Sequence, residues 1–196
     1  MNNSNRKLAA IVFTDIVGYT RLSSKNEPAA LELLSKQREL LKPIVEKYNG
    51  DWLKEIGDGL LLTFNTSIEA VHCAIEIQKI AKTIDGLKLR IGIHQGEVVF
   101  QDDDVVGDDV NIASRIEQFS SSGGIAISDR VNASLQRNPE FETKLLGNPE
   151  MKGVTQEIKI FSIVSHGLPS GDILANENVK EKKIHGWNFF TLSGVV

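Results

Sequence analysis

The patterning of the chain predicts an α+β fold: a mostly antiparallel sheet with helices packed on one face. Three observations lead there. Short β-like runs alternate with longer stretches of helical periodicity, and pairs of β-like runs are joined by glycine-containing reversals. Apolar residues make up 41% of the 196 residues, and 16 glycines are added to them, which is enough for a buried core.

The elements follow in order. Residues 8–13 (LAAIVF) form a continuous apolar run bounded by Thr14 and Asp15, which reads as a buried strand delivering Asp15 to its end. The polar residues 1–7 before it lack the apolar stretch of a signal peptide and are expected to be disordered. From Glu27 to Tyr48, Leu31, Leu34, Leu41, Ile44, Val45 and Tyr48 recur at helical spacing, with Pro28 suited to the first turn and Gly50 to the stop. Pro43 predicts a bend or break in that helix. Residues 52–56 and 60–64 are β-like and flank Gly57, Asp58 and Gly59, giving a hairpin with a carboxylate at its tip. Thr66 and Glu69 form a capping box opening a helix through Ile80. Residues 87–93 read as a strand that turns at Gly96 into Val98, Val99 and Phe100, a second hairpin. Asp108 or Asp109 can cap a helix running to about Phe119, and Gly123 and Gly124 lead into a strand at 125–127. A short helix at 131–135 and a strand at 158–164 complete a β-α-β-β-α-β-β-α-β outline over residues 8–166.

Charge and composition exclude several functions. With 22 Lys+Arg against 26 Asp+Glu, the net charge is −4, and no basic run is present to neutralise a row of phosphates, which argues against nucleic acid as a partner. Cys73 is the single cysteine, so no disulfide framework or cysteine-rich zinc site can form, and a reducing, cytoplasmic setting fits. His72, His94, His166 and His185 are too dispersed for a metal cluster, and no Ser-His-Asp or Cys-His arrangement stands out. Residues 167–183 have linker character. Beyond them Lys182, Lys183, Trp187, Phe189, Phe190, Leu192, Val195 and Val196 admit two readings: the cytoplasmic flank of a membrane anchor continuing beyond Val196, or a strand docking on the domain. The run is too short to cross a bilayer by itself, which takes about 20 apolar residues.

Two carboxylates carry the chemical signal. Asp15 in FTDIVGYT and Asp58 in IGDG each stand beside or near glycine at the end of a strand, a placement that suits Mg²⁺, which takes one or two protein carboxylates and shares its octahedron with water and phosphate. Taken singly, Asp58 also fits a plain turn and Asp15 a helix cap. Backbone amides around Val17, Gly18, Tyr19 and Thr20, before a helix, can cradle phosphate oxygens. In VVGDDVNIASR, Asn111 and Arg115 are four apart and project from one helix face; the pair suits a ribose and a charged phosphorus centre, or equally a solvated surface. Asp102, Asp103 and Asp104 lack the spacing of a calcium loop.

In this order, FTDIVGYT, KEIGDG, LRIGIHQG, GDDVNIASR and MKG resemble the catalytic domain of class III nucleotidyl cyclases, over about Leu8 to Val164. The resemblance implies that family's ferredoxin-like fold and an adenylate cyclase that converts ATP to 3',5'-cyclic AMP and pyrophosphate. It implies that Asp15, Asp58 and the carbonyl of Ile16 hold two divalent cations, Mg²⁺ or Mn²⁺. Lys54 and Asp104 would read the adenine edge, Asn111 orient the ribose, Arg115 stabilise the transition state, and Arg90 and Lys152 meet the triphosphate. Guanylyl members carry an acid at the position of Lys54 and usually Cys or Ser at that of Asp104, so a Lys donor with an Asp acceptor points to ATP. The family also implies a homodimer in which one protomer supplies the Asp pair and its partner the base- and ribose-facing set.

Overall fold

A computed structural model describes residues 5–101 and 104–171. Eight strands form one sheet: β1 (Asn5–Ile16), β2 (Asp51–Ile56), β3 (Gly59–Phe64), β4 (Leu89–Gln101), β5 (Asp104–Val106), β6 (Ile125–Ser128), β7 (Thr143–Gly147) and β8 (Ile160–Ile163). Their order is β2-β3-β1-β4-β6-β8-β7, with β5 paired to β4. Every pairing is antiparallel except β4 with β6. The helices are α1 (Tyr19–Lys25), α2 (Glu27–Lys47), α3 (Ser67–Ala81), α4 (Asp108–Ile116) and α5 (Asp129–Leu135), and a 3₁₀ turn, Glu117–Phe119, follows α4. The first four strands stand in the order β2-β3-β1-β4, with α2 between β1 and β2 and α3 between β3 and β4, the interleaving of a ferredoxin-like split βαβ.

The core explains why residues 8–13 lack strand alternation. Ala10, Val12 and Ile16 face a cluster shared with Leu41, Val45, Ala70, Ile77 and Val131 from α2, α3 and α5. Ala9, Ile11 and Phe13 face a second cluster with Leu61, Val98, Val110 and Ala113. β1 is covered on both faces from Ala9 to Phe13, so each of these positions is apolar. Val110 and Ala113 belong to α4, so α4 packs on the sheet face opposite α2, α3 and α5, a departure from helices on one face only.

Other differences have local causes. No reversal occurs at Gly96: β4 continues through it, pairing with β1 from Leu89↔Ile16 to Phe100↔Asn5. Glycine stands there because a Cβ would fall 2.0 Å from the carboxyl carbon of Asp109. The chain reverses instead between β4 and β5, where Gln101 pairs with Asp104. The same long β4 gives residues 5–7 a partner, so β1 begins at Asn5 and not Leu8. α2 passes through Pro43 as one element. Asn49, at φ 56, takes the left-handed position after that helix, whereas a Cβ on Gly50 would meet the Phe64 ring at 2.4 Å. The Thr66 cap accepts from Glu69 N–H at 3.2 Å as expected. Neither Asp108 nor Asp109 caps α4; Gly107 is its N-cap, and no side chain bonds there. The expected continuation near Trp187–Val196 lies outside the described residues, among which no helix is long and apolar enough to cross a membrane.

Candidate active site

Asp15 is the penultimate residue of β1, at the centre of the sheet, and Asp58 is at the tip of the β2–β3 hairpin. Two backbone contacts bring them together. Thr14 Oγ1, buried, accepts from Leu60 N–H at 3.1 Å, and Gly59 lies so close that a Cβ would fall 2.5 Å from the Thr14 carbonyl oxygen. The tip is thereby seated on β1, and Asp58 Oδ2 accepts from Ile16 N–H at 3.0 Å. Burial, then the adjacent Asp15 charge, pushes the Asp58 carboxyl up to about 6, against the pull of the Ile16 amide. Gly57 supplies the positive φ of the turn, 61°.

Arg90 stands opposite Asp15 in the β1–β4 register. Its Nε donates to Asp15 Oδ2 at 3.1 Å, Nη2 donates to the same oxygen, and Nε lies 3.6 Å from Glu117 Oε2. The donor set suits a hard divalent cation. It consists of two partly buried, mutually repelling carboxylates, and among the described residues no third His, Cys, Asp or Glu completes a protein-only cage.

The other residues form separate groups. Lys54 Nζ donates to Asp104 Oδ2 at 2.5 Å, joining β2 to β5 across 50 residues of sequence, with the two side chains 39% and 44% exposed. Asn111 and Arg115 lie half-buried on α4. A Cβ on Gly153 would come within 3.7 Å of Asn111 Nδ2, so the MKG turn sits beside the amide, with Met151 buried against Ile112 and Ile116 and Lys152 exposed. Arg115 Nε is buried without a partner among the described residues. No hydrogen bond or ion pair among the described residues joins the Asp15–Asp58 pair to the Lys54–Asp104 pair or to Asn111 and Arg115.

At the proposed phosphate cradle, Val17 N–H donates to Lys88 O at 2.8 Å and is not open to phosphate, because β1 stays paired to that point. Gly18, at φ 82, caps α1, and Tyr19 and Thr20 begin it. Burial and then the charges of Asp58 and Glu27 raise the Tyr19 phenol.

Residues 1–165 match the family described as the adenylate and guanylate cyclase catalytic domain. The chain belongs to that family. Among relatives of this cyclase domain, putative adenylate cyclase 3 of Rhizobium meliloti is 33% identical over 165 residues, 80% of this chain and 28% of that protein. The chain therefore spans little more than a quarter of that relative's length. The solved adenylate/guanylate cyclase/hydrolase from Silicibacter pomeroyi superposes with a TM-score of 0.75 at 36% identity, covering 83% of this chain and 99% of that one. The adenylyl cyclase CyaB from P. aeruginosa superposes at 0.73 with 27% identity, covering 82% and 95%.

Glu117, which meets Arg90, carries no signal of its own in the sequence, and Asp109, there only a candidate helix cap, is enclosed by His94, Glu97 and Arg130. Glu117 lies two residues beyond Arg115, and its backbone packs against Gly92 of β4, which brings its side chain to Arg90. For Asp109 the signal in the sequence is Gly96, which reads there as a turn residue.

Proposed function

We propose that this cyclase domain uses ATP and forms 3',5'-cyclic AMP and pyrophosphate. The observation that carries the reading is the Lys54–Asp104 pair, 2.5 Å apart, a donor beside an acceptor. Adenine offers the complement, an acceptor at N1 and a donor at its exocyclic amine, whereas guanine opposes this pair with a donor at N1 and a carbonyl at C6. A mismatched edge would leave enclosed polar groups unsatisfied, which discriminates strongly between similar substrates.

Asp15, Asp58 and the Ile16 carbonyl would hold two divalent cations, which when bound make the ribose 3'-hydroxyl more acidic and neutralise the polyphosphate. The 3'-oxygen attacks the α-phosphorus in line, and the bond from that phosphorus to the bridging oxygen of pyrophosphate breaks. Asn111 holds the ribose so that the 3'-oxygen stays in line. Arg115 neutralises charge growing on the α-phosphoryl oxygens, an electrostatic contribution worth about 3 kcal/mol or more for a well-placed donor. Lys152, exposed, and Arg90, held by Asp15 and Glu117, meet the β- and γ-phosphates.

No hydrogen bond or ion pair among the described residues joins the Asp pair to the base- and ribose-facing set, which supports a homodimer in which each site draws on both protomers. The test is incubation of the purified protein with ATP or GTP, with Mg²⁺ or Mn²⁺, followed by chromatographic identification of the product. Cyclic AMP from ATP is expected. Cyclic GMP as the main product overturns the base assignment. No cyclic product under any combination overturns catalysis and leaves a nucleotide-binding, dimerising module.

A further inference from the structure

Building on the reaction proposed above, we infer that Asp109 is a positioning residue: its carboxylate clamps the segment 104–115 to β4 and α5, and so holds Asp104, Asn111 and Arg115 in register with the nucleotide. All three of these residues lie within this one segment, and α4, although it packs on the sheet through Val110 and Ala113, has no side-chain cap at its N-terminus to fix its register. It is nine residues long, and its N-cap, Gly107 at φ 144, offers no side chain. A helix this short has marginal intrinsic stability.

Asp109 supplies the missing anchor. Its Oδ1 lies 3.0 Å from His94 Nε2 and accepts from Arg130 Nη1 at 3.1 Å, while Oδ2 accepts from Glu97 N–H at 2.7 Å. The side chains of Asp109 and His94 are 15% and 1% exposed. Burial holds His94 below its ordinary value, and its Nδ1 is buried with no partner among the described residues, so the ring proton sits on Nε2 and is donated to Asp109. The socket exists because residue 96 has no Cβ; one there would fall 2.0 Å from the Asp109 carboxyl carbon and 2.2 Å from Oδ2. A negative charge in the first turn also suits the helix dipole. The carboxylate is therefore engaged by this chain on both oxygens and is not available to substrate. It acts through the residues that follow it.

Asp109→Asn keeps the shape but turns one acceptor into a donor that faces other donors. We expect kcat with ATP to fall by about 10- to 100-fold with KM changed less than about threefold, because small misplacements of orienting groups cost that much. Amide hydrogen exchange across residues 107–116 should quicken by about tenfold, while β1 and the β2–β3 hairpin keep wild-type rates. Arg130→Met, which leaves the His94 and Glu97 anchors, should give a smaller change in the same direction and serves if Asp109→Asn does not fold. Wild-type kcat and exchange in a folded variant overturn the clamp, and so does a lowered melting temperature with exchange raised evenly over the sheet. If the wild-type protein makes no cyclic nucleotide, the proposed reaction fails while exchange still decides the clamp: unchanged rates at 107–116 in both variants refute it.

Discussion

Substituting Lys54 and Asp104, the pair proposed to read the base, separates stability from selectivity. Lys54 and Asp104 bond at 2.5 Å with side chains 39% and 44% exposed, so the pair should contribute no more than about 1 kcal/mol to folding. For a domain of this size that is roughly 2–4 °C of melting temperature. In the proposed shared site, with a purine enclosed between protomers, the same groups count for more: each donor or acceptor left unmatched costs about 1–3 kcal/mol, roughly 5- to 150-fold in kcat/KM. The perturbation is Lys54→Glu combined with Asp104→Cys, which exchanges the donor for an acceptor and removes the competing acid. The assay compares kcat/KM for ATP and GTP by chromatography of the cyclic products, alongside thermal melting. The expected result is a fall with ATP and a rise with GTP, each in that range, with the melting temperature moved by only a few degrees. An ATP:GTP ratio within twofold of wild type in a folded double variant would refute the assignment of these side chains to the purine edge.

Three further outcomes are expected. An Asp58→Asn protomer mixed with an Asn111→Ala protomer should recover cyclase activity that neither shows alone, measured on mixtures verified as heterodimers; no recovery refutes shared sites. Gln78, buried on α3, donates from Nε2 to Leu89 O at 3.1 Å and Gly124 O at 2.7 Å, while Leu89 O also accepts from Gly123 N–H. Gln78→Met should therefore cost about 1–3 kcal/mol, mostly at Gly124, and lower the melting temperature by roughly 2–12 °C. His94 is held below its ordinary value of 6.5 by burial and, less strongly, by Arg130, against the opposing pull of Asp109 and Asp129. The unfolded chain then binds a proton that the folded one refuses, so stability should be full above about 6.5 and fall as pH drops below it. Urea midpoints of wild type and His94→Asn between pH 7.5 and 5.5 check this; an equal pH slope in the two proteins contradicts it.

Much of the fold was legible because it is local. The Leu31–Tyr48 periodicity, the Thr66–Glu69 cap and the glycine-flanked Asp58 hairpin each declare themselves within a few residues. What failed were the glycines and the edge. Gly96 resembles a turn residue in a line of sequence, yet its role is set by Asp109, thirteen positions away and on another element. β7, at the edge of the sheet, has a mixed exposed pattern over Thr143–Gly147 that carries no alternation to detect. The face taken by α4 depends on which side of β1 remained uncovered. In the site, Asp15 and Asp58 could be picked out singly, but their convergence depends on the Thr14–Leu60 and Ile16–Asp58 bonds. The pairing of Lys54 with Asp104 has no local signature and came from family resemblance alone.

Lys54 rides on β2, an edge strand, whereas Asp15 lies near the end of β1, two strands further in, and Asp58 accepts from the β1 main chain at Ile16. An outer strand has one neighbour and can shift or change side chains without disturbing the middle of the sheet. In the proposed site, base choice then rests on the outer strand of the β2–β3 hairpin and cation binding on that hairpin's tip and β1, so a substitution at residue 54 is expected to change the preferred nucleotide while Asp15 and Asp58 keep their spacing.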